Sequence, residues 1–261
     1  MGAPLPALLA DLDAENEALD EVVRDLSRRA WGYPTPAPKW TIAHQIAHLT
    51  WTDSVLTTAI RQPDEFAVLA GQFEEDGGTV DRAAEELASQ APDDLLQSWR
   101  RQRANVITAL TEVPTGERIP WFGPPMGVAM AASARLMEVF AHGQDVRDAL
   151  DIAPIPSFRL RHIAHLVAAT RDFAFRVHRL PVPLEPFRIE LSLGDDVWTS
   201  GPDDAHQRVT GEALDFSLLA TRRRHRNDCR VTARGELANL WLDIIQAYAG
   251  EPGRGRRATT T

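Results

Sequence analysis

The 261-residue sequence predicts an α+β protein: an N-terminal four-helix bundle followed by a smaller α+β domain. Three observations predict it. Apolar residues recur at helical spacing through the first half of the chain. Pro154 and Pro156 interrupt that pattern near the middle, and beyond Pro181-Val182-Pro183 the residues alternate as strands do. These shifts assign residues 1–152 to the bundle, 153–252 to the second domain and 253–261 to a disordered tail.

Leu8, Leu9, Leu12, Leu19, Val22, Val23 and Leu26 share a face among acidic residues, so the first amphipathic helix is expected from Leu5 to Ala30. The segment Gly32 to Lys39 cannot continue it, because Pro34, Pro36 and Pro38 lack backbone donors and clash with a preceding turn. Thr41 reads as an N-cap, opening a second helix through His44, His48 and Trp51 towards Ile60. A third begins with Pro92, tolerated in a first turn where its missing amide hydrogen would be unpaired anyway, and runs to about Val113. Ile119-Pro120-Trp121-Phe122-Gly123-Pro124-Pro125-Met126-Gly127 forms an aromatic, proline-stiffened loop into the fourth helix. Leu136, Met137, Val139, Phe140, Val146 and Leu150 make that helix apolar around much of its circumference, so it is expected to be buried.

In the second domain a helix is expected from about Ser157 to Leu180. Phe187 to Leu193 alternates, Gly194-Asp195-Asp196 turns, and Val197-Trp198-Thr199 completes a hairpin. A helix from about Ala213 to Arg222, a strand near Cys229 to Ala233 and a helix from Leu237 to Ala249 follow. The stretch Gly250 to Thr261, rich in Gly, Arg and Thr, reads as frayed. There is no internal repeat and no phosphate-cradling glycine motif.

Composition excludes several classes. Hydrophobic residues at 44% and charged residues at 25% are ordinary for a soluble globular protein. A formal charge of −9 gives no electrostatic reason to expect nucleic acid or an anionic membrane as partner. The single cysteine, Cys229, rules out an internal disulfide framework and a multi-cysteine zinc site. Neither a signal-peptide pattern nor a run of ~20 apolar residues is present, so a cytoplasmic protein with a small-molecule substrate is expected. Lys39 is the only lysine among many arginines, alanines and prolines, the bias of a GC-rich bacterial genome.

Chemistry concentrates in the fourth helix. Glu138 and His142 stand four residues apart, which puts a carboxylate and an imidazole on one face, as two ligands of one divalent metal require. His48, on the second helix, offers a third ligand if the two helices are neighbours, leaving at least one metal position open. The competing reading is a weak charge pair on an exposed face. The apolar surroundings argue against that, since a buried carboxylate needs a partner. Two imidazoles and a carboxylate suit zinc, iron or nickel. His44, one turn before His48, is the second choice of ligand; His162, His165 and His225 read as packing or surface residues.

Asp145 shares the face of His142, where it either orients a ligand or accepts the proton of an incoming thiol, or else pairs with Arg147 at the surface. Trp121, Phe122 and Met126 either cover a cofactor at the metal or cap the bundle core. A metal deprotonates a thiol that coordinates it. With no obvious catalytic cysteine in the chain, any thiol chemistry would have to borrow its thiol from elsewhere.

Trp40-Thr41 followed by His48-Leu49, then Glu138 and His142 with Gly143 and Asp145 behind them, resembles the DinB-like, mycothiol-dependent maleylpyruvate isomerase family of actinobacteria. The likeness continues through Val209-Thr210-Gly211-Glu212-Ala213, Arg222-Arg223-Arg224 and the segment Trp241 to Gly250, so it covers nearly the whole chain. The resemblance implies a metal-binding four-helix bundle with zinc on His48, Glu138 and His142, and a sterol-carrier-like C-terminal domain. It further implies mycothiol as cosubstrate and an arginine near the cleft. Arg223 is the candidate, with Arg222 and Arg224 as alternatives, because three arginines stand where the family pattern has a lone Gly-Arg.

The expected function is therefore a metal-dependent thiol transferase or isomerase acting on a small electrophile. Two rivals stand beside it: a hydrolase or lyase using bound water without thiol, and a small-molecule binding protein with a structural metal. The sequence carries no signal of oligomeric state.

Overall fold

A computed structural model describes residues 4–75, 78–250, 252–253 and 255–259. The chain divides into one unit that ends at Ala153 and a second that begins at Pro154. The predicted order, helices first and a small sheet domain second, is the order observed.

In the first unit, helix α1 (Leu5–Val23) buries Leu8, Leu9, Leu12, Leu19 and Val23. It ends well before Ala30, because Arg24, Asp25, Ser27, Arg28 and Arg29 leave only Leu26 to extend the apolar face; Ala30–Gly32 form a single 3-10 turn. Helix α2 (Ile42–Arg61) starts at the N-cap Thr41. His44 Nδ1 accepts the Thr41 amide at 3.3 Å, the reciprocal bond that Glu or Gln makes in a capping box.

Two helices, α3 (Pro63–Glu75) and α4 (Thr79–Ala88), were not expected. Their apolar residues are mostly left partly exposed: Ala84 is the one buried residue of α4, and Phe66 anchors α3. Helix α5 (Pro92–Glu112) starts at its proline as expected. Strands β1 (Arg118–Ile119) and β2 (Met126–Gly127) pair antiparallel, Ile119 opposite Met126, and so clip together the ends of the aromatic loop. The long helix α6 (Val128–Ala149) follows and is mostly buried.

Helix α2 packs on α4, α5 and α6, and α1 packs on α6 and α5. The side chains filling the space between them include Leu12, Leu19, Ile42, Ile46, Leu49, Leu56, Leu95, Trp99 and Leu110, all fully buried. This packing makes α2 and α6 neighbours, which fixes where their histidines meet. Among the described residues no helix is long and apolar enough to cross a membrane.

The second unit opens with α7 (Leu160–Ala169) and α8 (Arg171–Val177). The single helix expected there breaks at Thr170 (φ −104°, ψ 14°), whose hydroxyl donates to the Leu166 carbonyl at 2.8 Å. Strands β3 (Phe187–Leu193) and β4 (Asp196–Ser200) form the expected hairpin through Gly194. Strand β5 (Gln207–Glu212) runs parallel to β3, and β6 (Val231–Arg234) antiparallel to β5, giving the order β4-β3-β5-β6.

β5 was not expected as a strand, because Val209 is its one large apolar residue. Helices α9 (Ala213–Ala220) and α10 (Glu236–Ile244) cover the sheet, with Trp241 of α10 edge-on to Phe187 at 5.7 Å and to Phe216 at 6.0 Å. Of the tail expected to fray, the Thr259 amide donates to Asp228 Oδ2 at 2.9 Å, whereas Glu251, Arg254, Thr260 and Thr261 lie outside the described residues.

Candidate metal centre

Three side chains from two facing helices converge in the first unit. His48 of α2 and Glu138 and His142 of α6 each offer one ligand atom, and these atoms lie within 4.8 Å of one another. His48 Nε2 is 3.4 Å and His142 Nε2 3.2 Å from the same carboxylate oxygen, Glu138 Oε2. The two imidazole rings are 4.4 Å apart between centroids. The Glu138 side chain is 22% exposed, so the cluster can be reached from outside, unlike the 4%-exposed Arg135 and Asp53 behind it.

The two imidazoles are not held alike. His142 Nδ1 lies 2.6 Å from Gln45 Oε1, so the residue orienting this ring is Gln45, which the sequence reading did not single out. Gln45 is on α2 and reaches His142 only through tertiary packing, so no local spacing advertises it. His48 Nδ1 is buried without a hydrogen-bond partner. Trp40 roofs the cluster: its ring stacks on His142 at 5.9 Å and lies 5.3 Å from His48, and its indole Nε1 donates to Asp81 Oδ1 at 3.0 Å.

Charge behind the cluster is balanced by Arg135. Its Nη2 is 3.8 Å from Glu138 Oε2 and its Nε 3.9 Å from Asp53 Oδ1. Burial pushes the Glu138 carboxyl up, but hydrogen bonds from His142 and His48 and the Arg135 charge outweigh it and hold the group well below the usual carboxylate range. Asp53 goes the other way: burial, opposed by Arg135 and reinforced by Glu138, pushes it up to about 6. One carboxylate is thus kept anionic at the cluster and a second is kept easily protonated beneath it.

The remaining candidates are placed as follows. His44, the alternative ligand, has Nδ1 on Thr41 and Nε2 2.9 Å from Glu85 Oε2, so both ring nitrogens are engaged in holding the start of α2. Asp145 is buried at 1% exposure one turn beyond His142, and Arg147 donates to the Ala18 carbonyl of α1 at 3.1 Å. Phe122 stacks on Trp51 at 6.4 Å, and Trp51 in turn lies 6.2 Å from His48. Trp121 stacks on Phe66 at 6.0 Å, while Met126 sits half-buried in β2 opposite Ile119. Phe122 therefore connects to the cluster through Trp51, while Trp121 packs against Phe66 of α3 and Met126 pairs across the loop's ends.

Arg223 belongs to the second unit, where its Nη1 donates to the Thr221 carbonyl at 2.7 Å. Its neighbour Arg222 has a left-handed backbone, φ 61°. Cys229, in the same unit, has its thiol pushed up to about 12 by burial and by the charges of Asp215 and Asp228, against Arg224.

Residues 12–147, more than half of the chain and all of the elements that build this cluster, match the model of the mycothiol maleylpyruvate isomerase N-terminal domain. The chain belongs to this family. Within the mycothiol maleylpyruvate isomerase family, its resemblance to an uncharacterized protein of Mycobacterium tuberculosis strain CDC 1551 / Oshkosh extends to both units. The two are 50% identical over 258 residues, covering 98% of this chain and 100% of the relative. The counterpart in strain ATCC 25618 / H37Rv gives the same figures.

The crystal structure of the mycothiol-dependent maleylpyruvate isomerase has the same fold, with a TM-score of 0.60 at 16% identity over 88% of this chain and 93% of that one. A histidine-to-alanine mutant of that isomerase superposes equally, with a TM-score of 0.59. In the second unit, residues 183–234 match a model described as wyosine base formation, a likeness spanning the sheet up to β6.

Proposed function

We propose that this member of the family is a divalent-metal enzyme that uses mycothiol to isomerise, or to form an S-conjugate of, a small electrophilic substrate. The observation that supports this most directly is the convergence of His48, Glu138 and His142, three ligand atoms within 4.8 Å on an accessible face of the bundle. Structural zinc is normally closed by four protein ligands, whereas three leave a position for a reacting molecule. The donor set of two imidazoles and one carboxylate fits zinc, the ion we assign, and has a chemistry that iron and nickel also accept. A divalent ion bound there supplies Lewis acidity, which turns a thiol into a thiolate at neutral pH.

The protein's own groups prepare the site for that. Glu138 stays anionic, and with two neutral imidazoles leaves a bound divalent ion a net charge of about +1, which favours an anionic thiolate. Trp40 shields one side from water, and in a drier site the same charges attract more strongly. Cys229 is a poor nucleophile, its thiol pushed up to about 12 by burial and by Asp215 and Asp228 and so protonated at neutral pH. We therefore assign the sulfur to a separate molecule, and mycothiol is the thiol in the family's name. Arg223 enters the proposal as a cation for a substrate carboxylate through the family resemblance, and Asp145 as a buried carboxylate beyond His142.

Maleylpyruvate and mycothiol are the first pair to assay, with and without zinc. Turnover that requires both thiol and metal supports the proposal. Turnover of an electrophile at the same rate without any thiol supports the bound-water hydrolase or lyase instead.

A further inference from the structure

The hydrogen bonds around Gln45 have a direction, and it can be read from one end. The Trp40 carbonyl oxygen can only accept, and Thr35 Oγ1 lies 2.9 Å from it, so the threonine hydroxyl hydrogen is committed there. With its hydrogen used, Thr35 Oγ1 has only lone pairs to offer Gln45, whose side-chain nitrogen Nε2 is 2.8 Å away. A primary amide has one donor end and one acceptor end, so placing the NH2 on Thr35 forces Oε1 towards His142. Oε1 lies 2.6 Å from His142 Nδ1 and must accept a hydrogen bond from it. The hydrogen on His142 is therefore on Nδ1, and the lone pair of the neutral ring is on Nε2, the atom 3.2 Å from Glu138 Oε2.

We infer that Thr35 and Gln45 form a relay, running from His142 to the Trp40 carbonyl, that sets His142 as the pre-oriented anchor of the metal centre. Both are positioning residues, since neither reaches the other ligand atoms. Gln45 is fully buried, so no water competes for its amide. The relay begins on the loop before α2, where Pro34 bridges to Thr41, and the same loop carries the Trp40 ring over the histidines. One short segment thus both orients a ligand and roofs it. His48 has no such support, its Nδ1 being buried without a partner, so the two imidazoles are unequal and His142 contributes the larger share of pre-organisation. This inference rests on the proposed reading of His48, Glu138 and His142 as metal ligands.

The test is Zn2+ affinity, measured by competition with a chromogenic chelator, on wild type, Gln45→Leu, Thr35→Val and Thr35→Ser. Thermal unfolding of each metal-free protein reports whether the fold is intact. Removal of a residue that orients a metal-bound histidine costs about 10- to 100-fold in metal affinity, and that loss is expected for Gln45→Leu. Thr35→Val should lose less, because the Gln45 amide is then free to rotate but still present, and Thr35→Ser should restore wild-type affinity. Thr35 does not touch His142, so a loss reversed by serine reports the relay rather than packing. Wild-type affinity in both Gln45→Leu and Thr35→Val overturns the relay and leaves the metal site standing. A wild-type protein that takes up no Zn2+ overturns the reading of the site and the relay with it. If Gln45→Leu does not fold, the two Thr35 variants decide the question alone.

Discussion

Asp53 Oδ1 and Arg135 Nε lie 3.9 Å apart in the interior of the bundle, each side chain 4% exposed, and the same guanidinium stands 3.8 Å from Glu138. Arg135 therefore faces two carboxylates, and with only a smaller contribution from Arg103 at Asp53 it does not offset the burial of both. The cost falls on Asp53, pushed up to about 6 by burial, while Glu138 is held low by its histidines. This arrangement gives the bundle a pH dependence of a definite sign.

A carboxyl whose folded pKa lies above its unfolded value of roughly 3.9 binds a proton more tightly when folded, so its contribution is present at low pH and lost as pH rises. For Asp53 the loss runs from roughly pH 4 to its folded value of about 6 and totals ~3 kcal/mol. The midpoint of thermal unfolding of the metal-free protein should therefore fall between about pH 4.5 and about pH 6.5 relative to that of Asp53→Asn. Circular dichroism melts of the two proteins across that range check it, and parallel pH curves would exclude Asp53 as the source.

The Cys229 thiol, pushed up to about 12, should react with iodoacetamide far more slowly at neutral pH than an unperturbed thiol does. Cys229→Ser should leave mycothiol-dependent turnover unchanged. A loss of an order of magnitude or more in kcat would mean that the chain supplies its own sulfur.

Trp40 lies between 5.3 and 6.4 Å from the rings of His44, His48 and His142, closer to the cluster as a whole than Trp51, which approaches His48 alone at 6.2 Å. Binding of a quenching ion such as Co2+ should lower tryptophan fluorescence, and Trp40→Phe should remove the largest part of that drop while leaving the metal stoichiometry unchanged. Fluorescence titration reads both quantities. An undiminished quench in Trp40→Phe would contradict its place over the ligands.

Gly201, between β4 and β5, has φ 83°, and a Cβ there would sit 1.9 Å from the Phe187 carbonyl oxygen. Only glycine suits both the backbone and the space. Gly201→Ala should destabilise the second unit by at least 1–3 kcal/mol, the usual cost of such strain, visible as a lower denaturation midpoint for that unit's transition. An unchanged midpoint would mean that β3 and the turn shift apart freely.

Much of this fold was legible because its signals are local. The apolar stripe of α1, the Thr41 cap, the proline that opens α5 and the alternation of β3 each reside in a few consecutive residues. Of the elements that were missed, α4 carries a local apolar stripe in Val80, Ala83, Ala84 and Leu87 and was open to the same counting, whereas β5 is placed by pairing with β3 rather than by its own pattern. The site divides along the same line. Glu138 and His142 are one turn apart on α6 and can be paired by counting, and the sequence offers His48 as a third ligand on the condition that its helix is a neighbour, with the family resemblance implying the same residue. Gln45, Arg135 and Asp53 gain their roles from contacts across helices, where spacing along the chain says nothing. His44 shows the converse case, a histidine at a plausible ligand spacing whose nitrogens cap a helix and meet Glu85.

The most direct measurement is elemental analysis of the purified, zinc-reconstituted protein beside His48→Ala, Glu138→Ala and His142→Ala. About one equivalent of metal in the wild type, lost in each variant while circular dichroism shows the helices retained, is the predicted result. Full occupancy in the Glu138→Ala and His142→Ala proteins, or no metal in the reconstituted wild type, would contradict the metal centre on which the proposed chemistry depends.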